Sequence, residues 1–221
     1  MMIRKNLTIL ALAVIIGGCA PPPYWTLTDE VNQVVTSHSF KMIVPKGWNR
    51  STNADTYDYV TIDGKDVPVL LERMVASRDG FDINAITVTR RYPDTAFPAI
   101  KKKCNANMLP NEAADLYVAD LRKRSGLERL KVLNNKPARL AGKQGFRVVM
   151  QFKNDDGLRI RIVSYGFVDK TGFYTINYRA PYLYYYKRDY HAYINVVHSF
   201  KEMKGAFDPP PQIPAWAKLF T

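Results

Sequence analysis

Alternation of apolar and polar residues marks three runs in the second half of the chain. Three alternating runs are Gly145–Lys153, Leu158–Val168 and Phe173–Arg179, and the segments between them, 154–157 and 169–172, are rich in Asp, Asn and Gly. A period of two is typical of strands, and these turn residues tolerate the backbone dihedrals that tight turns need. The pattern therefore predicts an antiparallel meander of three strands.

Shorter runs earlier in the chain predict further strands. These runs are Ser39–Val44, Tyr57–Ile62, Val67–Met74, Leu127–Leu133 and Ala138–Ala141. Asp63-Gly64 separates the second run from the third, and this dipeptide is a strong hairpin signal between two apolar runs.

Apolar residues at helical spacing predict three helices. They cover Phe97–Met108, Asn111–Ser125 and about Tyr182–Lys201. The second has acids near its start and a basic triplet near its end, which suits the helix dipole. The third holds six tyrosines among residues 182–193. Such rings could grip a sugar, a peptide or a lipid headgroup, or simply cover a wide edge of the core.

The meander also predicts a basic surface. Because side chains alternate between the two faces of a strand, three adjacent strands would present one apolar face and one basic face. The five cations predicted to share the basic face are Arg147, Lys153, Arg159, Arg161 and Arg179. Guanidinium groups match carboxylates and phosphates, so we expect this face to meet an acidic partner or anionic lipid headgroups. The alternative is an ordinary solvated sheet face.

The first residues have the pattern of an export signal. Arg4 and Lys5 precede a ten-residue apolar run, which is too short for the ~20 residues of a membrane-spanning helix. Residues 16–19, Ile-Gly-Gly-Cys, resemble the lipobox of bacterial lipoproteins. That resemblance implies removal of residues 1–18, acylation of Cys19 and, with Ala20 following, sorting to the outer membrane. The alternative is a signal peptide whose cleavage site lies near a cysteine by chance.

The signal divides the chain into four predicted segments: a signal peptide at 1–18, a lipidated cysteine and Pro-rich tether at 19–35, one folded domain at 36–204, and a Pro-rich tail at 205–221. A lipidated Cys19 leaves Cys104, the second of two cysteines, without an intramolecular partner. We therefore expect no disulfide, and Cys104 is interpreted as a buried small apolar residue rather than a reactive thiol.

Composition and charge narrow the class of protein. The 221 residues carry 32 Lys and Arg against 20 Asp and Glu, a formal net charge of +12, and 47% are hydrophobic. These values fit one domain with a sizeable core and exclude disordered, collagen-like and multi-span membrane proteins. A basic chain usually suggests nucleic acid, but an exported protein does not meet cytoplasmic nucleic acid, so we expect none as a partner.

The sequence contains none of the catalytic or cofactor-binding motifs that we considered. The three histidines lack His-Glu-x-x-His spacing, and there is no Cys-x-x-Cys, no phosphate-binding loop and no Gly-x-Ser-x-Gly elbow. His191 and His198 share a helix face, but two imidazoles alone would hold a metal weakly. We therefore expect no cofactor, no metal and no catalytic residue.

Several local sequences, taken in order, resemble the PsbP-like fold of photosystem extrinsic proteins and related bacterial lipoproteins. They are Phe40 with Pro45-Lys46-Gly47-Trp48, Leu140-Ala141-Gly142-Lys143 with Gly145-Phe146-Arg147, Phe173-Tyr174-Thr175-Ile176 with Ala180-Pro181, and His198-Ser199-Phe200-Lys201. The resemblance spans roughly residues 36–201. It implies an α+β fold in which an antiparallel sheet of about six to seven strands is sandwiched by helices. It also implies an assembly or interaction role without a shared catalytic set.

The sequence thus predicts a lipid-anchored envelope protein that acts as a non-catalytic binding or assembly module. Two alternatives remain open at this point. One is an envelope hydrolase acting on cell-wall or lipid material, and the other is a structural lipoprotein without a specific ligand.

Overall fold

A computed structural model describes residues 25–36, 40–51, 69–76, 84–91, 96–124, 127 and 129–203. In order, the elements of these residues are β1 Trp25–Leu27, β2 Gln33–Thr36, β3 Phe40–Val44, β4 Asn49–Ser51, β5 Val69–Val75, β6 Ala85–Arg91, α1 Pro110–Arg122, β7 Lys131–Leu140, β8 Lys143–Lys153, β9 Arg159–Asp169, β10 Gly172–Pro181, α2 Tyr185–Ser199 and β11 Lys201–Glu202.

The centre of the fold is an eight-stranded antiparallel sheet in the order β1-β4-β5-β6-β10-β9-β8-β7. The predicted meander forms its most extensive part, where the turns at 154–157 and 169–172 return each strand to its neighbour. Successive residues 162, 163 and 164 of β9 are all buried, as are 148, 149 and 150 of β8. Consecutive buried residues on a strand mean that this part of the sheet is covered on both faces.

One face of the sheet packs against α2 and against a second, three-stranded sheet of order β11-β3-β2. The core on this side combines residues of the central strands with Tyr193, Val196 and Val197 of α2 and with Phe40 of β3. The Tyr193 hydroxyl lies 2.9 Å from the Ile176 carbonyl oxygen and 3.1 Å from that of Val163. This hydroxyl hydrogen-bonds to the sheet, which fixes the helix over β9 and β10.

The other face packs against α1, which lies across β7, β8 and β9. The helix contributes Leu116, Val118 and Leu121 to a second core, which also contains Cys104 and Phe146. Pro110 occupies the first turn of α1, where its missing N–H costs nothing, and the Glu112 carboxylate accepts a hydrogen bond from the Leu109 N–H at 2.9 Å.

The structure confirms an α+β fold with a large antiparallel sheet, but it corrects the strand and helix counts. The large sheet has eight strands rather than six to seven, β6 comes from a run that we did not predict as a strand, and only one helix of the described residues lies on each face. The runs Leu127–Leu133 and Ala138–Ala141 belong largely to one strand, β7. Pro137 is tolerated within it because β7 is an edge strand.

The predicted helix Phe97–Met108 does not form. Lys101 has a positive φ of 57°, and an isolated bridge joins Ala96 to Lys103. The Asn105 side chain accepts a hydrogen bond from the Asn107 N–H at 2.8 Å, a local turn that competes with helix. Phe97 and Cys104 are nevertheless buried, so the spacing marked core residues but not their backbone conformation.

The predicted tether overlaps the folded body. β1 at Trp25–Leu27 pairs with β4, and β2 at Gln33–Thr36 pairs with β3. Residues 25–27 and 33–35, predicted as part of the tether, therefore belong to the folded body. The signal peptide, Cys19, the run Tyr57–Ile62, the Asp63-Gly64 hairpin and the tail at 205–221 lie outside the described residues.

Candidate functional site

The strand register separates the five predicted surface cations. Tyr178 of β10 lies opposite Val163 of β9, and Val163 lies opposite Val149 of β8, so the three residues share the α2 face. Four cations belong to this face by alternation, and they are Arg147, Lys153, Arg159 and Arg161. Arg179 alternates with Tyr178 and therefore lies on the α1 face.

The prediction that all five cations share one surface is thus wrong for Arg179. The prediction fails because both faces of the sheet are buried and therefore carry apolar residues. The apolar residues of one strand can thus lie on the opposite face from those of the next strand. The contacts agree with this assignment, because the Arg179 guanidinium lies 5.9 Å from the Phe152 ring centroid, and Phe152 belongs to the α1-side core.

Tyrosines of α2 and of the segment before it cover two of the four remaining cations. The Arg161 guanidinium lies 3.9 Å from the Tyr182 ring centroid and 5.2 Å from that of Tyr186. Arg147 donates a hydrogen bond to the Tyr190 hydroxyl at 3.1 Å. Both arginines are half-buried, and these cation–π and hydrogen-bonding contacts hold them against the helix.

Burial shifts the pKa of two tyrosines near these arginines. It raises the pKa of Tyr165 and of Tyr186 above the usual tyrosine range, so both rings stay neutral at physiological pH. Burial alone would lower the pKa of Arg147, but the hydrogen bond to Tyr190 and the nearby rings outweigh it and raise the pKa. This part of the surface is a packed arginine–tyrosine cluster, and its cations are partly enclosed.

The other two cations lie at an exposed end of the sheet. Lys153 and Arg159 are opposite each other beside the β8–β9 turn, and both are exposed. The Tyr182 N–H donates to the Arg159 carbonyl oxygen at 2.9 Å, which brings the segment after β10 to the same end. We call this region the basic end; its residues are Arg129, Lys131, Lys153, Leu158, Arg159, Leu183 and Tyr184.

Large exposed apolar residues adjoin the paired residues of the basic end in sequence, Leu158 before Arg159 and Leu183 and Tyr184 after Tyr182. The exposed fractions are 41% for Leu158, 72% for Leu183 and 63% for Tyr184. The turn beside them also contains Asp155 and Asp156, which reduce but do not cancel the positive charge. Exposed apolar side chains near exposed cations are unlike an ordinary solvated sheet edge.

A second candidate site lies on the α1 face, where α1 leaves part of the sheet uncovered. A cavity of about 250 Å³ that is partly open to solvent is lined by the helix, the Phe97 and Leu127 segments and strands β5, β6, β9 and β10. Its floor has four polar side chains on the adjacent strands β6 and β10: Thr87, Thr89, Thr175 and Asn177.

The polar floor is internally hydrogen-bonded. The hydroxyls of Thr89 and Thr175 are 2.6 Å apart, and the Asn177 amide donates to the Thr175 hydroxyl at 3.0 Å. The Tyr117 hydroxyl donates to the Asn177 side-chain amide oxygen (Oδ1) at 2.9 Å, which connects the floor to α1. These bonds satisfy the polar groups without filling the space above them.

Four arginines contribute to the cavity wall: Arg73, Arg91, Arg124 and Arg179. The Arg91 guanidinium is 4.4 Å from the Phe97 ring centroid and donates to the Ala96 carbonyl oxygen at 2.8 Å. Arg124 forms a salt bridge of 2.6 Å with the buried carboxylate of Asp120. No described lining residue is acidic.

Sequence reasoning missed this cavity. In the run Ala85–Arg91, Thr87 and Thr89 alternate with Ile86 and Val88, which is a strand signal with one polar face. Thr175 and Asn177 carry the same signal in β10. Only the pairing of these two strands places the polar residues side by side beneath a helix.

Other candidate chemistry is limited in the described part of the chain. Cys104 is buried and is not in a disulfide. Within the described ranges, no group of three or more His, Cys, Asp or Glu residues could hold a metal ion. No helix in those ranges is both long and apolar enough to span a bilayer.

No protein-family profile matches the sequence, and neither does any curated protein. Among solved structures, cyanobacterial PsbP (CyanoP) from Synechocystis sp. superposes with a TM-score of 0.54 at 9% identity, covering 79% of this chain and 95% of that one. LpqN of Mycobacterium tuberculosis, described as involved in cell envelope biogenesis, gives a TM-score of 0.44 at 9% identity over 81% of this chain and 89% of its own.

The similarity to CyanoP places the chain in the class of α+β proteins with a large antiparallel sheet between helices. More particularly, the chain has the PsbP-like fold, which confirms the resemblance found in the sequence. At 9% identity the likeness concerns the fold and assigns no activity.

Proposed function

We propose that this protein is a non-catalytic binding module of the cell envelope, anchored through an acylated Cys19, whose basic end docks on an anionic bilayer. The observation that carries the proposal is the juxtaposition of exposed cations and exposed apolar side chains at the basic end. Lys153 and Arg159 are the central cations, and Leu183, which is 72% exposed, follows Tyr182, whose N–H donates to the Arg159 carbonyl oxygen.

The charge arrangement supports a role outside folding. Like charges directly opposite each other in a sheet destabilise the pair, so the Lys153–Arg159 pairing weakens the sheet locally. A phosphate headgroup placed between the two side chains would remove that repulsion. Each cation near an anionic membrane surface contributes about 1 kcal/mol of attraction at physiological salt.

The apolar residues support a membrane rather than an acidic protein as the binding surface. Leu158, Leu183 and Tyr184 could insert at the level of the headgroups while the neighbouring cations contact phosphates. A lipid anchor would keep the domain beside the bilayer, so weak contacts at the basic end would suffice to orient it.

Vesicle binding tests the proposal. Full-length protein carrying Cys19→Ser, which cannot be acylated, is mixed with vesicles of phosphatidylcholine alone or with phosphatidylglycerol. We expect binding to the anionic vesicles only, weakening as salt rises. K153E/R159E should reduce the partition coefficient at least tenfold, since two attractive charges of about 1 kcal/mol each become repulsive.

The matched control is K136E/K170E, which makes the same charge change at two exposed lysines on β7 and in the β9–β10 turn, away from the basic end. Its partition coefficient should stay within a few-fold of the parent. Equal losses in both double variants, or equal binding to both vesicle types, would contradict the proposal. Mass spectrometry of the cell-derived protein tests the anchor separately, since an unacylated Cys19 would contradict it.

A further inference from the structure

The cavity on the α1 face lies above a floor of hydroxyl and amide groups, although most buried residues of that face are apolar. Thr87 and Thr89 of β6 lie opposite Asn177 and Thr175 of β10, so the four side chains form one square on the sheet. Thr87 and Thr89 are half-buried, as side chains bordering an open space should be. A molecule in the cavity would therefore rest on a surface that can form hydrogen bonds.

The hydrogen bonds within this floor leave the hydroxyl hydrogen of Thr87 without an acceptor. The Asn177 amide donates to the Thr175 hydroxyl at 3.0 Å and to the Thr87 hydroxyl at 3.4 Å, while its Oδ1 accepts from Tyr117. Thr87 thus accepts a hydrogen bond, but its own hydrogen has no acceptor among the described residues. One donor of the floor is therefore available to a ligand.

The neighbouring threonine pair leaves a second hydrogen. The hydroxyls of Thr89 and Thr175 are 2.6 Å apart, and either can donate to the other. Each hydroxyl carries a single hydrogen, so whichever residue donates, the hydrogen of its partner finds no acceptor in the part of the chain that the structure describes. The floor therefore presents two hydroxyl donors on one surface, which is complementary to an oxygen that accepts hydrogen bonds.

The four arginines of the wall already have protein partners. Arg91 and Arg124 bond to a backbone carbonyl oxygen and to a buried carboxylate, respectively. The guanidinium groups of Arg73 and Arg179 lie 6.0 Å from the tryptophan ring of β1 and 5.9 Å from a phenylalanine ring of β8, on different sides of the cavity. A carboxylate over the floor would need one of these groups to leave its partner, whereas an uncharged acceptor needs only the floor hydroxyls.

Apolar side chains provide much of the remaining lining. They include Leu70 of β5, Leu121 of α1, Ile162 of β9 and Phe173 of β10. A hydrocarbon body gains free energy when such side chains remove it from water. The volume of about 250 Å³ suits a molecule of roughly ten heavy atoms, near the lower limit of small-molecule pockets.

We propose that this cavity binds a compact uncharged carbonyl compound, such as a ketone or an ester. Its carbonyl oxygen accepts hydrogen bonds from the floor hydroxyls, and its hydrocarbon body contacts the apolar lining. The site lies on the opposite face of the sheet from Lys153 and Arg159, so it does not depend on the membrane contact proposed above.

Amide NMR titrations of full-length protein carrying Cys19→Ser test the site with three probes built on one ring. Acetophenone carries a carbonyl group, ethylbenzene has a methylene in its place, and benzoate has a charged oxygen in place of the methyl group. We expect acetophenone to bind about fivefold more tightly than either of the other probes, because it alone offers an uncharged acceptor. The shifted amide signals should belong mainly to β6, β10 and α1.

Two valine substitutions on the floor test the count of hydroxyl hydrogens. T87V removes one of the two available hydrogens and should weaken acetophenone binding about fivefold, with ethylbenzene binding within twofold of the parent. T89V is the matched control, because it leaves the Thr175 hydrogen available and the count stays at two. Its acetophenone affinity should stay within about twofold of the parent. T87M adds volume to the floor and should weaken both probes about tenfold.

Absence of acetophenone binding, equal affinities for acetophenone and ethylbenzene, or tighter binding of benzoate would overturn the proposal. Equal acetophenone affinities in T87V and T89V would also overturn it, as would shifted amides confined to another surface. The amide spectrum of each variant shows that it is folded before titration. K153E/R159E should bind acetophenone as the parent does, and T87M should bind vesicles as the parent does, so failures of the two proposals are distinguishable.

Discussion

At the scale of single residues, backbone conformation singles out the β7–β8 turn. Leu140 pairs with Lys143 across two residues of positive φ, Ala141 at 53° and Gly142 at 77°. Two-residue hairpin turns of this type favour Asn-Gly, because both central positions are left-handed. Alanine in that region carries a steric cost of about 1 kcal/mol, which the rest of the hairpin offsets.

Ala141→Asn should therefore stabilise the protein. We expect the free energy of unfolding to rise by about 0.5 kcal/mol, because Asn adopts the left-handed region more readily than Ala. The corresponding rise in melting temperature is about 1–2 °C for a domain of this size, measurable by circular dichroism.

The control applies the same substitution where the backbone is helical. Ala119 is exposed on α1, and Ala119→Asn should destabilise by about 0.6 kcal/mol through helix propensity alone. The two substitutions should therefore change the free energy of unfolding in opposite directions. Destabilisation by Ala141→Asn would contradict this prediction.

Alternation along a strand predicts which of its residues share a face, but not which face they share with the neighbouring strand. Within each strand, the pattern correctly predicts that Arg147 and Phe146 point to opposite faces. It does not relate one strand to the next, so it wrongly predicted that Arg179 shares a face with Arg147. A strand's period is internal to that strand, whereas the shared face depends on the pairing register.

At the scale of elements, a small charged cluster joins three strands. The Lys143 ammonium, on β8, forms salt bridges to the carboxylates of Asp169 on β9 and Glu202 on β11, and the Thr171 hydroxyl lies 2.7 Å from a Glu202 carboxylate oxygen. The cluster connects the large sheet to the small one immediately before the C-terminal tail.

The protonation of this cluster follows from its contacts. Burial alone would raise the pKa of Asp169, but hydrogen bonds from Lys143 and Thr171 outweigh it and lower the pKa. Burial alone would lower the pKa of Lys143, but hydrogen bonds to Asp169 and Glu202 outweigh it and raise the pKa. Both shifts stabilise the charged forms, so the cluster contributes to stability at neutral pH.

Asp169→Asn should cost about 1 kcal/mol of unfolding free energy at pH 7, a modest value because Lys143 is partly solvated. Because the folded-state pKa of Asp169 is lowered, its contribution is present above the ordinary value of about 3.9 and is lost as pH falls through the folded value. The difference between parent and variant, measured by urea unfolding, should therefore shrink below about pH 4.

Asp155→Asn is the control for that series. Asp155 is an exposed acid in the β8–β9 turn, and its replacement should change stability little at any pH. A parent-to-D169N difference that persists unchanged at pH 2 would show that the carboxylate charge is not what stabilises this junction.

Whether a segment forms a strand or a helix could be predicted from the sequence for some elements. The long strands of the meander were predicted within a few residues, since eleven-residue alternation has no helical counterpart. Phe97–Met108 has helical spacing but forms turns, because the local asparagine turn and the left-handed Lys101 override the pattern. A short segment contains few repeats of its hydrophobic pattern, so local side-chain contacts decide whether it forms a helix or turns.

At the scale of the whole molecule, the large sheet separates two cores. One contains Tyr193 and Phe40 on the α2 side, and the other contains Phe146 and Cys104 on the α1 side. The eight strands are hydrogen-bonded continuously, so neither core can be exposed widely without disturbing the shared sheet. We expect the described body to unfold as one cooperative unit.

Cys104 provides the test of that cooperativity. Its side chain is 5% exposed in the α1-side core, so a disulfide reagent should reach it only through unfolding or large local opening. In protein carrying Cys19→Ser, the labelling rate in urea should rise in parallel with the unfolded fraction from circular dichroism. C19S/C104A supplies the blank.

Labelling of Cys104 within minutes in native buffer would contradict the single-unit expectation. It would indicate that the α1 side opens independently, and the α1-side cavity would then be reached by motion of that helix. If Cys104 is protected from labelling until the whole protein unfolds, the result supports a cavity that is already formed in the native state.

The sequence by itself determined the local properties of this protein: the alternating strands, the helix preceded by Pro110, the resemblance to a lipobox and the excess of positive charge. Each of these depends on neighbours within one segment. Tertiary structure alone decided which strands pair and in what register, because turns and packing on both faces set that alignment. The separation of Arg179 from Arg147, the pairing of Lys153 with Arg159 at the basic end and the threonine-floored cavity all follow from that alignment.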